Sequence, residues 1–310
     1  MRSIVRFTPE LGLWIQQHLD AGHAPAGLLE EMQRQRMAPE AARAIVDAFV
    51  QARARGLPVP RDSVELATSA DTTLPAYRHE APRLRPGTAI ATSDRIVRVA
   101  ARAAQPMLAV LNNVLDADEC AELIEMARPR LQPSTLVDPQ TGHDVVTGLR
   151  SSLGMFFRPL ENALVARLDR RIAELMNLPP AHGEGLQILH YPRGAGSAPH
   201  CDFLLRSNPA NQASIARSGQ RVSTMVCYLN DVPEGGETVF PEAGWAVSPQ
   251  RGHAVYFEYC NSLDQLDHAS LHGSSAVVRG EKWVATKWMR QRPFVSAAQA
   301  QARAATAGAA

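Results

Sequence analysis

Two histidines and an aspartate carry the most specific chemistry in this chain. The segment Ala198-Pro-His-Cys-Asp-Phe203 places His200 and Asp202 two residues apart, and His272 follows in Ala269-Ser-Leu-His-Gly273. On a strand, residues i and i+2 face the same side, so the pattern expects the His200 imidazole and the Asp202 carboxylate to point together into a core. Two imidazoles and one carboxylate on one face of a metal leave positions open, the geometry used for oxygen chemistry at Fe(II) rather than for closed structural zinc sites. His268 lies close to His272 in sequence and is an alternative donor. Cys201, between the first two, is expected to face the opposite way and to stay out of the metal sphere.

Lysine usage adds a second clue. Lys282 and Lys287 are the chain's two lysines, the rest of its 32 basic residues being arginine. A lysine is a compact charge on a flexible stem that arginine does not replace in a tight pocket. In the strand KWVATKWM the two alternate faces, which assigns Lys282 inward, with Val284, Thr286 and Trp288, and Lys287 to a solvated face. An inward cation ten residues after His272 suits the far carboxylate of a chelating keto-acid.

The elements that must position these residues are mostly strands. Beyond Leu186 the chain reads as a succession of short β segments, LQILHY, VSTMVCYLND, ETVF, HAVYFEY, SAVV and KWVATKWM, separated by Gly, Pro and Asp signals. RIVRVAARA and PMLAVLNNVL are β-rich too. Asp116 caps a helix over 117–127, and a longer helix covers 161–176. The fold class expected is mainly β with flanking helices (α+β), a sandwich or double-stranded barrel. Residues 1–55 read as an N-terminal extension of three amphipathic helices, 56–94 as a linker, 95–294 as the main domain and 295–310 as a flexible, low-complexity tail. The stretch 203–220 shows no strand pattern and reads as a long loop, weighed as a lid over substrate.

Composition restricts the function class. The chain of 310 residues is 45% hydrophobic and 20% charged, with a net charge of +1. That balance provides no electrostatic footprint for nucleic acid, and no apolar run approaches the ~20 residues of a membrane span. Cys120, Cys201, Cys227 and Cys260 are widely spaced, which fits free thiols and a cytoplasmic protein. The N-terminus does not read as a signal peptide.

Taken together, the motifs resemble those of the prolyl 4-hydroxylase group of Fe(II)/2-oxoglutarate dioxygenases. They are Tyr191-Pro-Arg-Gly194, His200-Cys-Asp202, Arg221-Val-Ser-Thr224, Tyr228-Leu-Asn-Asp231, Gly235-Gly-Glu-Thr-Val-Phe-Pro241, His272 and Gly280-Glu-Lys-Trp283, the core motifs spanning 186–292. Asn113-Val-Leu-Asp-Ala-Asp-Glu-Cys120 and Arg150-Ser-Ser152 resemble the family's entry helix and following strand. The resemblance implies a jelly-roll core with iron on His200, Asp202 and His272, and 2-oxoglutarate on Lys282 with help from Tyr191 and Tyr228. It further implies O2 as cosubstrate, ascorbate as reductant, and Arg221 and Trp288 at the substrate entrance. The expected reaction is hydroxylation of a prolyl residue in a protein or peptide, with succinate and CO2 as co-products. A free amino acid as substrate, or a non-catalytic scaffold, are the alternatives, and the N-terminal helices leave room for a homodimer. The family pattern has a second tyrosine six residues after the first, where this chain has Ser197.

Overall fold

The computed structural model describes residues 4–55, 58–65, 77–134, 136–137, 144–145, 152–206 and 209–307. The Arg150-Ser151 part of the upstream motif lies outside them. The chain divides into two compact units, one holding residues 1–76 and the other most of 77–310.

The first unit is built on three helices, α1 (Pro9–Asp20), α2 (Pro25–Arg34) and α3 (Pro39–Arg55), beside a short antiparallel pair, Ile4–Arg6 with Ser63–Glu65. Each helix starts on a proline, whose fixed φ suits the first turn and whose missing N–H leaves nothing unsatisfied there. Thr8 caps α1 by accepting from Leu11 N. Apolar residues at helical spacing, including Ile15, Leu19, Leu28, Met32, Ile45, Val46 and Phe49, bury one side of each helix in a shared core.

The second unit is built mainly on two antiparallel sheets, with two short antiparallel pairs besides, Glu234–Gly235 with Val277–Arg279 and Leu136–Val137 with Asp144–Val145. The larger has nine strands in the order β1 (Ala89–Ala91), β2 (Ile96–Ala104), β3 (Met107–Asn112), β11 (Ala254–Glu258), β8 (Arg221–Tyr228), β13 (Lys282–Arg290), β6 (Leu186–Tyr191), β5 (Leu153–Phe157) and β4 (Gln132–Pro133). The smaller has the order β7 (Ser197–His200), β12 (His272–Ser274), β9 (Thr238–Phe240) and β10 (Trp245–Val247). Residues of both sheets line one cavity, as in the jelly roll expected. Helices α4 (Ala117–Ala127) and α5 (Ala163–Met176) pack against the major sheet, on β6 and β13 respectively. Asp116 closes a capping box with Glu119 at the start of α4.

Four expectations need correction. The stretch 77–94 is not a linker: it belongs to the second unit, with β1 on the sheet edge and Arg83 paired with Glu258. Within 203–220 the chain forms a helix, α6 (Pro209–Ser218), started by a proline and rich in alanine. The tail likewise forms α7 (Ala297–Ala307), since AAQAQARAATA holds no glycine or proline to break it. Lys287 is not solvated. It is 1% exposed and its Nζ lies 2.6 Å from Asp169 Oδ1 on α5, because that face of β13 is covered by a helix. A Cβ on the neighbouring Gly183 would meet Lys287 Cε at 2.5 Å, so glycine leaves the room this lysine needs.

Candidate active site

His200 ends β7 and stands directly opposite His272 of β12 in the sheet register. The register shifts between Ser197 and His200 and the strand ends at His200, so Asp202 reaches the site from the segment after β7 rather than from the strand itself. The convergence expected from the i, i+2 spacing is thus obtained by a bulged strand end. Asp202 Oδ1 lies 3.7 Å from His200 Nε2, and Oδ2 lies 3.6 Å from His272 Nε2. One donor atom from each of the three residues falls within 4.8 Å of the others. Ligand atoms about 2.0–2.2 Å from a common ion cannot be much more than ~4 Å apart, and the two contacts of Asp202 fall inside that bound.

The surroundings prepare the three side chains for a metal. His200 Nδ1 meets Ala198 O at 2.9 Å and His272 Nδ1 meets Ser270 O at 3.1 Å. A carbonyl only accepts, so each Nδ1 carries the proton and each Nε2 keeps its lone pair for an ion. Thr224 Oγ1 donates to Asp202 Oδ2 at 2.7 Å and meets the Tyr259 hydroxyl at 3.0 Å. Asp202 is buried, and burial alone would raise its pKa. Attraction from His272 and His200, whenever these rings are protonated in place of holding an ion, and from Arg221, with the Thr224 hydrogen bond, brings it down to about 2, so it is a carboxylate at any physiological pH.

Two imidazoles and a carboxylate, with no thiolate among them, fit Fe(II). Cys201 is not in the donor group, and burial, with the Asp202 charge adding to it, pushes its thiol up to about 12. His268 also stands apart, its ring set edge-on to Phe203 at 5.1 Å. Among the described residues His200, Asp202 and His272 form the single donor group of this kind.

Lys282 lines the same cavity, of about 40 Å³, and is 2% exposed. Its Nζ donates to Ser274 Oγ at 2.8 Å and is paired with no carboxylate among the described residues. Burial lowers its pKa to about 7, against a small opposing pull from Glu237. A buried ammonium with a neutral partner is a site prepared for an anion, and the 2-oxoglutarate carboxylate fits it. Tyr191 lines the cavity beside it, Lys282 Nζ lying 5.4 Å from the ring centroid. Tyr228 is placed differently. Its ring is 5.7 Å from Lys282 Nζ, but its hydroxyl is spent on Thr238 Oγ1 at 2.8 Å and the residue is not part of the cavity wall.

Trp288 also lines the cavity, and the Arg221 guanidinium, which is not part of its wall, stacks 4.2 Å from the ring centroid. Glu184 grips Arg221 through two contacts, of 2.7 and 2.9 Å, and meets Arg290 at 3.0 Å. No motif marked Glu184 in the sequence. Gln187 Oε1 and Trp288 Nε1 are both buried, line this cavity and have no partner among the described residues.

Residues 186–290 match the model of the 2OG-Fe(II) oxygenase superfamily. A probable prolyl 4-hydroxylase 10 of Arabidopsis thaliana is 37% identical over 209 residues, covering 61% of this chain and 71% of that protein. Prolyl 4-hydroxylase 1 of the same plant is 40% identical over 202 residues, covering 60% and 70%. Among solved structures, a viral collagen prolyl hydroxylase from Paramecium bursaria Chlorella virus-1, in complex with 2OG, is 24% identical over 59% of this chain and 95% of that one, with a TM-score of 0.46.

Proposed function

The chain belongs to the 2OG-Fe(II) oxygenase superfamily, and on that premise we propose that it hydroxylates a prolyl residue within a protein or peptide. The observation that carries the reading is one cavity with the His200, Asp202 and His272 donors in its wall and the unpaired Lys282 ammonium beside them. When bound, Fe(II) supplies the oxidation of a C–H bond by O2, coupled to conversion of 2-oxoglutarate into succinate and CO2. The protein's own share is placement. His200, Asp202 and His272 hold the ion, Lys282 and Tyr191 receive the cosubstrate, and buried walls keep water away from both.

Substrate contact falls to Arg221 and Trp288, where Glu184 fixes the guanidinium against the indole. Ascorbate as reductant, a homodimer through the N-terminal helices and a cytoplasmic location are further parts of the proposal.

The test is incubation of the full chain with Fe(II), 2-oxoglutarate, O2 and proline-containing peptides. Mass spectrometry should find one added oxygen on a prolyl residue, in step with succinate, and His200→Ala should remove both products. Oxidation of free proline with peptides left untouched would overturn the substrate assignment while keeping the iron site.

A further inference from the structure

One row of the iron cavity's wall runs on beyond the cavity. In the nine-stranded sheet Val226 of β8 stands opposite Thr286 of β13, Thr286 opposite Gln187 of β6, and Gln187 opposite Phe156 of β5. Residues directly opposite one another in a sheet point to the same face. Val226, Thr286 and Gln187 line the cavity, so Phe156 continues their row one strand further out. There the row meets solvent. Phe156 is 52% exposed, whereas Met155 and Phe157, which alternation turns to the other face, are buried.

A lone exposed phenylalanine is ordinary. This one has company. Its ring lies 6.4 Å from that of Trp288, inclined at 33°, and Trp288 belongs to the cavity wall. The indole is held in turn by the Arg221 guanidinium, 4.2 Å from its centroid, which Glu184 grips. Gly185, two residues before Gln187, adds no side chain beside Phe156, and none fits. A Cβ there would stand 3.8 Å from Phe156 Cδ1 but only 2.5 Å from Phe157 O. The result is an open strip of two aromatic rings and bare backbone, continuous with the cavity. Strands lie about 4.8 Å apart, and an extended chain advances about 3.3 Å per residue. Phe156, one strand beyond the wall, is therefore in reach of the residue one or two positions from the one seated in the cavity. A free amino acid has no such residue.

We propose that Phe156 and Trp288 form an apolar shelf for the side chain one or two positions from the hydroxylated prolyl, so that the enzyme selects polypeptides carrying an apolar residue there. This rests on the prolyl hydroxylation proposed above and narrows its substrate class. Phe156 is then a specificity-determining residue that leaves the iron and 2-oxoglutarate positions untouched.

Peptides with one proline in a glycine–serine background test the shelf, with leucine, lysine or serine placed singly from two positions before the proline to two after. The full chain is assayed on them with Fe(II), 2-oxoglutarate and O2. In the wild type, leucine at one of these positions should raise kcat/KM roughly three- to tenfold over serine, the range for partly burying one aliphatic side chain. Phe156→Ser should bring that ratio close to one, and Phe156→Asp should turn the preference at the same position to lysine. A ratio taken within one protein is insensitive to general damage, which lowers both peptides alike. A wild type that prefers leucine nowhere, or a leucine preference retained by either variant, would overturn the shelf and leave prolyl hydroxylation standing. Should the wild type hydroxylate none of the peptides, prolyl hydroxylation falls and the shelf falls with it.

Discussion

Lys282 Nζ, 2% exposed, rests 2.8 Å from Ser274 Oγ, a neutral partner for a buried cation. Burial disfavours the ammonium and lowers its pKa to about 7, with Glu237 pulling the other way from beyond direct contact. Protonated Lys282 is the form that attracts a carboxylate. The apparent affinity for 2-oxoglutarate should therefore be flat below about pH 7 and fall above it, approaching tenfold per pH unit. Calorimetric titrations between pH 6 and 9 would show the slope, and Lys282→Met should abolish it. Loss of the lysine leaves the bound carboxylate uncompensated, about 3–5 kcal/mol, or at least a hundredfold in affinity. A wild-type KM for 2-oxoglutarate in Lys282→Ala would remove this residue from the site.

Lys287 lies on the other face of the same strand and predicts a different phenotype. Lys287→Met strands Asp169 in a buried position, so we expect about 3–5 kcal/mol of lost stability with the KM for 2-oxoglutarate unchanged. Adding Asp169→Asn removes the orphan charge and should recover much of the loss. Urea denaturation measures both, and additive losses in the double variant would contradict the pairing.

Removing an iron ligand should silence the enzyme without unfolding it. For His200→Ala and His272→Ala the expected result is turnover below detection, a native far-UV spectrum and weakened metal binding. A chelator should do the same to the wild type reversibly, with Fe(II) restoring succinate formation. Retention of wild-type turnover by either variant would show that the ion is held elsewhere.

Glu184 supports Arg221 and Arg290 together. Burial works against its ionisation, yet the two guanidiniums hold its carboxyl below the usual range. A lowered folded pKa means stability that is complete above the unfolded value, near pH 4.3–4.5, and lost as pH falls towards the folded one. Glu184→Gln should flatten that acid limb. It should also raise the KM for peptide while leaving that for 2-oxoglutarate alone, since Arg221 loses its anchor against Trp288. A change confined to the 2-oxoglutarate KM would contradict the placement.

The parts of this site legible in the sequence are those where residue type and chemistry coincide. His200, Asp202 and His272 are few, spaced and of metal-ligating type, and Lys282 stands out because lysine is so rare here. Strand alternation separated Lys282 from Lys287 correctly, but alternation gives the face and not what covers it. The burial of Lys287 depends on α5, about 120 residues away in sequence, and only tertiary packing reveals that. Glu184 was silent for the same reason, since its partners Arg221 and Arg290 are distant along the chain. Tyr228 shows the converse: a side chain of the right type, near the right lysine, has its hydroxyl committed to Thr238. In α6 and α7 weak periodicity hid helices that alanine-rich composition favours.

The register that sets His200 opposite His272 gives the bound ion a mechanical role as well. An ion shared by these two residues closes a loop of 72 residues, the span between positions 200 and 272, and so acts as a clip across β7 and β12. Closing a loop of that length removes chain entropy chiefly from the unfolded ensemble, as other cross-links do. Amide protons of Ser197–His200 and His272–Ser274 should accordingly exchange faster with solvent in the stripped protein than in the loaded one. The central strands β8 and β13, hydrogen-bonded on both sides within the larger sheet, should hold their protons equally well in either state.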